Sequence, residues 1–249
     1  MKTGVLLSVR EKATRLPGKV LKPLGDANVT EFLLRRIKSV GNADAVILAT
    51  SIDPRDKILA EIAEREGTIP FCGSENDKLE RYRDAARLHD LDFVVIVDGD
   101  DPFVSTRHIE QLIDTQRTYS VDYIVYNGLP LGATGFGIGR DGLERVCELK
   151  SVENTEIWGH LFTENADFRS TALQETDPAL NRPDVRMTLD YPEDYDFFCA
   201  VVDCLAVKQA STDFENIMAL LNDRPDIVAL NADVTEKYEA HFNQSRNTG

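Results

Sequence analysis

Short apolar runs alternate with longer segments of helical period through the first half of the 249-residue chain. Val5–Val9, Ala45–Ala49, Phe93–Val97 and Tyr123–Tyr126 are continuous apolar runs bounded by polar residues, the pattern of strands buried on both faces. Thr68–Phe71 is a shorter run of the same kind. Between them, apolar residues at i, i+3 and i+4 predict helices over Val29–Val40, Asp53–Arg65, Asn76–His89 and Ser105–Thr118. Asp53-Pro54 and Ser105 are helix starts, the first with proline in the opening turn. This succession of βα units predicts an α/β fold: one domain with a mainly parallel sheet flanked by helices.

Past residue 127 the pattern loosens. Glycines cluster between Gly128 and Gly142, which predicts turns and a change of topology. A short helix follows over Leu143–Leu149, and Glu153–Phe162 fits neither period. Arg186–Leu189 has the pattern of one more strand, leading into a proline-initiated helix over Pro192–Val207 and a last helix over Asp213–Asn222. Asn243–Gly249 is a polar tail. With no internal repeat and no long linker, the expectation is one domain over 1–242 and a flexible tail over 243–249.

Composition narrows the function classes. The chain has 28 Lys and Arg against 43 Asp and Glu, a net charge of −15, which disfavours nucleic acid as a partner. No apolar run approaches the roughly 18 residues of a membrane span, and no signal-peptide pattern opens the chain. Cys72, Cys147, Cys199 and Cys204 have neither zinc nor Cys-x-x-Cys spacing, consistent with reduced, mostly buried thiols in a cytoplasm.

Against this acidic background, Arg10, Lys12, Arg15, Lys19 and Lys22 stand in one loop opposed by Glu11 alone. The loop follows the first strand, at the edge where open α/β sheets bind ligands. A solvated surface loop would account for the charge by itself; the Leu16-Pro17-Gly18 turn within it favours a phosphate cradle, with nucleoside triphosphate the first candidate. Asp98, Asp100 and Asp101 follow another buried strand. Helix capping explains one aspartate readily and three less well, whereas Mg²⁺ commonly takes one or two carboxylates plus substrate phosphates. Asp190, after Arg186–Leu189, reads by itself as a cap; if its strand neighbours the first acidic strand in one sheet, it becomes a second ligand for the same ion.

Other motifs are weaker. Gly135-Phe-Gly-Ile-Gly139 lacks the βαβ context of a dinucleotide site. His89 and His241 are expected at the surface, His108 and His160 are isolated, and Cys199 and Cys204 are helix-core residues. Trp158 is expected to pack, although Glu156-Ile-Trp-Gly-His160 is polar and aromatic enough to face a substrate.

Five blocks occur in a familiar order: Val9-Arg10 with Arg15-Leu-Pro-Gly-Lys19, then Ala49-Thr50-Ser51, Gly73 through Arg81-Tyr82, Asp98 through Phe103, and Met187 through Asp194. Together they resemble the CMP-sugar synthetases, that is the acylneuraminate and 3-deoxy-manno-octulosonate cytidylyltransferases, and most of all their spore-coat-polysaccharide-type relatives. The resemblance implies a nucleotide-diphosphosugar-transferase-like fold, a homodimer, CTP and Mg²⁺. It also implies transfer of CMP to an anionic acceptor, a 2-keto-3-deoxy sugar acid, with release of pyrophosphate, for surface polysaccharide biosynthesis. Matched position by position, Arg10, Arg15 and Lys19 are triphosphate residues and Asp100 and Asp190 are metal ligands. Arg15, Lys19 and Asp100 carry the catalysis, while Ala49, Thr50, Ser51, Gly73, Arg81 and Asp98 belong to the nucleotide pocket. Residues 128–180, which in the family help form the acceptor pocket and dimer contacts, match least. The alternatives are a nucleotidyltransferase with another nucleotide or a phosphorylated acceptor, and a nucleotide-binding homologue without turnover.

Overall fold

The computed structural model describes residues 1–234. The expected polar tail over 243–249 and His241 lie outside them.

The apolar runs become strands as predicted: β1 (Thr3–Ser8), then, beyond a two-residue ribbon of β2 (Pro23–Leu24) and β3 (Ala27–Asn28), β4 (Ala45–Ser51), β5 (Ile69–Gly73), β6 (Phe93–Asp98) and β7 (Tyr123–Asn127). Two further strands, β8 (Phe136–Gly139) and β9 (Ser170–Gln174), complete a seven-stranded sheet in the order β5-β4-β1-β6-β8-β7-β9. β1 runs parallel to both β4 and β6, and Ser8 is level with Ala49 on one side and Asp98 on the other. The basic loop and the acidic cluster therefore leave the sheet at the same edge.

Period-two alternation divides the strand side chains between two cores. Val5, Leu7, Val95 and Val97 pack with Leu33, Leu59, Ile109 and Leu112, while Leu6, Val94 and Ile96 face the opposite layer with Leu79, Tyr82, Leu143 and Trp158. The first layer is supplied by α1 (Val29–Ile37), α2 (Lys57–Arg65) and, further on, by a long helix over Thr106–Tyr119; the second by α3 (Lys78–Leu88). Thr106–Tyr119 is α4, and α5 (Arg140–Leu149) and the single-turn α6 (His160–Thr163) follow on the second face. The polar caps set the entry points: Asn28 and Glu31 form a capping box on α1, and Asp77 and Ser105 accept from the first-turn amides of α3 and α4. A third core gathers Phe103 with the C-terminal helices α7 (Pro192–Val207), α8 (Phe214–Asp223) and α9 (Pro225–Val228).

Three expectations need correction. The glycine-rich segment is not only turns, because β8 runs through it, antiparallel to β6 and β7. Its glycines permit close packing: a Cβ on Gly137 would come within 2.5 Å of the Phe93 ring. Arg186–Leu189 is extended but not a sheet strand, bridging only to Leu131. Its amides are used by loops instead, Met187 N–H donating to Leu131 O and Leu189 N–H to Asp100 O, each at 2.7 Å. The cysteines are free and less buried than expected, with Cys72 exposed and the other three half-buried.

Phe103 is fully buried against Phe198, ring centroids 4.6 Å apart, and also meets Phe32 and Phe197. Phe103→Ala should cost about 3–5 kcal/mol, the scale for truncating a buried aromatic. Urea unfolding would check it, and a midpoint close to wild type would refute this packing role.

Candidate active site

Leu16-Pro17-Gly18 forms the predicted tight turn. Gly18 adopts φ +67°, and a 3₁₀ turn over Lys19–Leu21 follows, with Lys19 N–H donating to Leu16 O at 3.1 Å. The turn aims Lys19 back across the sheet edge. Its Nζ donates to Asp100 Oδ2 at 2.7 Å and to Asp190 Oδ1 at 2.9 Å, while Arg15 Nη2 donates to Asp190 Oδ1 at 2.6 Å. Asp100 and Asp190 are thus brought together as expected, though by the Leu189–Asp100 backbone hydrogen bond and not by neighbouring strands. Burial alone would lower the Lys19 ammonium, but the charges of Asp100 and Asp190 outweigh it and hold the group above its ordinary value. Burial would raise the Asp190 carboxyl; Lys19 and Arg15 outweigh that and hold it low.

A second chain of charges runs beside the first. Arg10 donates to Glu75 O at 2.8 Å and to Glu156 Oε2 at 2.5 Å. Glu156 Oε1 lies 3.1 Å from Lys78 Nζ, which is 3.6 Å from Asp98 Oδ1. Burial opposes the Lys78 charge, yet Asp98 and Glu156 keep the ammonium above its ordinary value. Burial pushes the Asp98 carboxyl up despite Lys78, and the neighbouring Asp100 charge adds to it.

Three adjoining cavities open at this edge. One, of about 330 Å³, is bordered by Arg10, Lys12, Arg15 and Lys19. A second, of about 80 Å³, lies between Ser8, Lys78, Arg81 and Asp98. The third, of about 470 Å³, has Tyr123, Phe136 and Trp158 on its wall. Arg15, Asp100, Glu156 and Asp190 border both the first and the third.

Residues 5–150 match the family model described as cytidylyltransferase. The chain belongs to the cytidylyltransferase family. An uncharacterised protein of Methanocaldococcus jannaschii is 26% identical over 95% of this chain and 97% of its own length. The spore coat polysaccharide biosynthesis protein SpsF of Bacillus subtilis is 26% identical over 89% of this chain and 94% of its own. Among solved structures, a cytidylyltransferase from Leptospira borgpetersenii superposes with a TM-score of 0.82 at 23% identity, covering 92% of this chain and 97% of that one. The described residues contain no helix long and apolar enough to cross a membrane.

Within this cytidylyltransferase, the residues expected at the site fall into two groups. Arg10, Arg15, Lys19, Arg81, Asp98, Asp100 and Asp190 border the cavities, and so does Asp101. Lys22 instead lies over the Tyr195 ring, 4.6 Å from its centroid. Ala49, Thr50, Ser51 and Gly73 border none of the three cavities. Ser51 Oγ donates to Asp56 Oδ2 at 2.5 Å, and Asp56 Oδ1 accepts from Glu11 N–H at 2.7 Å, so this strand end ties down the start of the basic loop. Arg81 is fully buried, with Nη1 donating to Ser74 O and with Nε and Nη2 unpartnered. His108 is a buried partner of Glu175, whereas His160 borders the large cavity.

Asp56, Lys78 and Asp194 were not singled out from the sequence. A lysine or aspartate in a helix's first turn carries no signal of its own; only the Asp98–Lys78 and Arg186–Asp194 pairings in space reveal them. Asp194 is fully buried, accepting from the amides of Asp190 and Tyr191 at 2.9 Å and from Arg186 Nε and Asn231 Nδ2, also at 2.9 Å. It therefore fixes the backbone that presents Asp190, a role that leaves capping of α7 to Asp194 and not to Asp190.

No group of three His, Cys, Asp or Glu side chains among the described residues is arranged to hold a metal ion alone. Two carboxylate oxygens nevertheless converge on one cation, the Lys19 ammonium. Hard oxygen donors in that number suit a divalent ion whose remaining positions are filled by phosphate and water.

Asp194→Ala should cost about 3–5 kcal/mol, because it leaves Arg186 buried without its main anionic partner. Thermal or urea unfolding measures it; near-wild-type stability would remove Asp194 as the support of Asp190.

Proposed function

We propose that this cytidylyltransferase transfers CMP from CTP to a hydroxyl of a sugar-type acceptor and releases pyrophosphate. The observation that carries the reading is the shared wall: Arg15, Asp100, Glu156 and Asp190 stand between a cation-lined cavity and an aromatic-lined one. The triphosphate tail suits the first, where Arg10, Lys12 and Lys19 supply positive charge and Arg15 offers the fork geometry that matches phosphate oxygens. The small cavity suits the nucleoside, whose base has acceptor atoms for the unpartnered donors of Arg81. That arrangement sets the α-phosphate at the dividing wall, with the acceptor on its far side.

The acceptor hydroxyl oxygen forms a bond to the α-phosphorus as the bond from that phosphorus to the β-phosphate oxygen breaks. The hydroxyl proton passes to solvent, and pyrophosphate departs on the cationic side. Such transfers depend mainly on positioning and charge stabilisation. Asp100 and Asp190 would hold Mg²⁺, which when bound supplies charge stabilisation at the phosphates. Lys19 exchanges its two carboxylates for phosphate oxygens, and Arg15 offsets charge on the leaving group. The likeness to a protein named for spore coat polysaccharide biosynthesis supports a place in making surface polysaccharide. The family resemblance favours a cytoplasmic homodimer, and it favours a 2-keto-3-deoxy sugar acid as acceptor, a preference on which the charge of the large cavity bears.

Pyrophosphate release measured with each of the four common nucleoside triphosphates should show use of CTP above the others; equal use of all four would refute the cytidine preference. Asp100→Asn and Asp190→Asn should each lower kcat by at least ~10², the scale of losing one electrostatic stabiliser. Wild-type turnover in both variants at saturating Mg²⁺ would sink the metal assignment. Lys19→Ala should chiefly raise the KM for CTP, and unchanged CTP kinetics would count against the triphosphate position.

A further inference from the structure

The two large cavities share a wall but differ sharply in charge. The cavity assigned to the triphosphate has four cations, Arg10, Lys12, Arg15 and Lys19, against the three shared carboxylates Asp100, Glu156 and Asp190. The larger cavity has two cations, Arg15 and Lys78, against six carboxyl groups, those of Asp98, Asp100, Asp101, Glu156, Glu164 and Asp190. Both of its cations are already paired, Arg15 with Asp190 at 2.6 Å and Lys78 with Glu156 at 3.1 Å and Asp98 at 3.6 Å. Arg15 keeps one terminal nitrogen, Nη1, without a hydrogen bond, but that residue also borders the triphosphate cavity, where phosphate competes for it. Burial and the nearby charges of Asp100 and Asp98 push the Asp101 carboxyl well up, which removes a negative charge without supplying a positive one.

The rest of the wall is suited to hydroxyl groups. Thr134 and His160 border the cavity, and Thr134 Oγ1 and His160 Nδ1 are buried polar atoms without a hydrogen-bond partner. Buried polar groups of this kind favour a ligand that hydrogen-bonds to them. Tyr123, Phe136 and Trp158 supply ring surface of the sort that takes the C–H face of a sugar.

We propose that the 470 Å³ cavity is the acceptor subsite and that it takes a polyhydroxylated sugar without negative charge, neutral or amine-bearing, in preference to a sugar acid. This rests on the CMP-transfer reading for the role of the cavity, and it departs from the acid that the family resemblance favours. Carboxylates accept hydrogen bonds from sugar hydroxyls and attract an ammonium group, whereas an acceptor carboxylate adds a like charge to a wall with no cation to spare. One such charge within about 8 Å, at an effective dielectric constant of about 20, corresponds to tenfold or more in affinity.

The chain supplies its own reporter, since Trp158 is its one tryptophan and sits on this cavity's wall. The full-length protein, saturated with Mg²⁺ and with α,β-methylene-CTP, an analogue that does not release pyrophosphate, is titrated with mannose, mannosamine, mannuronic acid and 3-deoxy-manno-octulosonic acid while Trp158 fluorescence is followed. The expected result is half-saturation by mannose or mannosamine at concentrations at least about tenfold below either acid. Thr134→Lys, which adds a cation at the wall, should narrow that gap if it still binds the analogue. An acid that binds as tightly as, or more tightly than, the neutral sugar overturns the proposal. A flat signal with all four sugars, with the analogue bound normally, overturns the cavity assignment and leaves CTP use standing. Failure of CTP and its analogue to bind at all refutes the cytidylyltransferase reading itself.

Discussion

The ammonium of Lys19, held between Asp100 and Asp190, is the contact on which the geometry of the site depends. Three separate stretches of chain meet there: the basic loop after β1, the acidic turn after β6 and the extended segment before α7. Each would be repelled or left solvated alone. Asp100 and Asp190 would push each other apart, and an isolated buried ammonium would lose its proton. The triad is stable because every member neutralises another, and because Asp194 and Arg186 hold Asp190 from behind. Coulomb attraction in a partly desolvated pocket supplies the joint; backbone hydrogen bonds give it direction.

The sheet explains why that joint lies where two cavities meet. β1 and β6 are parallel and end level, so the loops that follow them emerge side by side. β8 then enters antiparallel next to β6, with Phe136 opposite Ile96. The residues just before β8, among them Gly132 and Thr134, are thereby delivered to the same edge and become the wall of the larger cavity. One reversed strand in a parallel sheet is enough to add a second chamber beside the phosphate site.

Much of this was legible in the sequence, for a physical reason. Strands buried on both faces leave continuous apolar runs, and Val5–Val9 and Phe93–Val97 could scarcely be anything else. The charged residues directly after them, Arg10, Arg15, Lys19 and Asp100, therefore had known addresses. Legibility failed where a local pattern had two causes. Glycine marks turns, but Gly137 is there because Phe93 packs against its backbone within a strand. Arg186–Leu189 has a strand's composition, yet its amides go to loops, a choice no periodicity records. Lys78 reads as an ordinary first-turn lysine, and its partners Asp98 and Glu156 lie 20 and 78 positions further along the chain. Partnerships over such separations are written in the fold alone.

The bridge from Arg10 through Glu156 to Lys78 has a further consequence. These cations are not a standing electropositive surface, because a carboxylate of the chain itself already covers them. Binding a phosphate there is an exchange of one anion for another, with the displaced carboxylate returned to water. An exchange of that kind favours a ligand that brings several linked phosphates at once, since a lone phosphate gains too few contacts to offset the bridges it breaks. The acidic coat thus acts as a threshold against stray anions, letting a basic loop sit on an acidic protein without gathering every anion that passes.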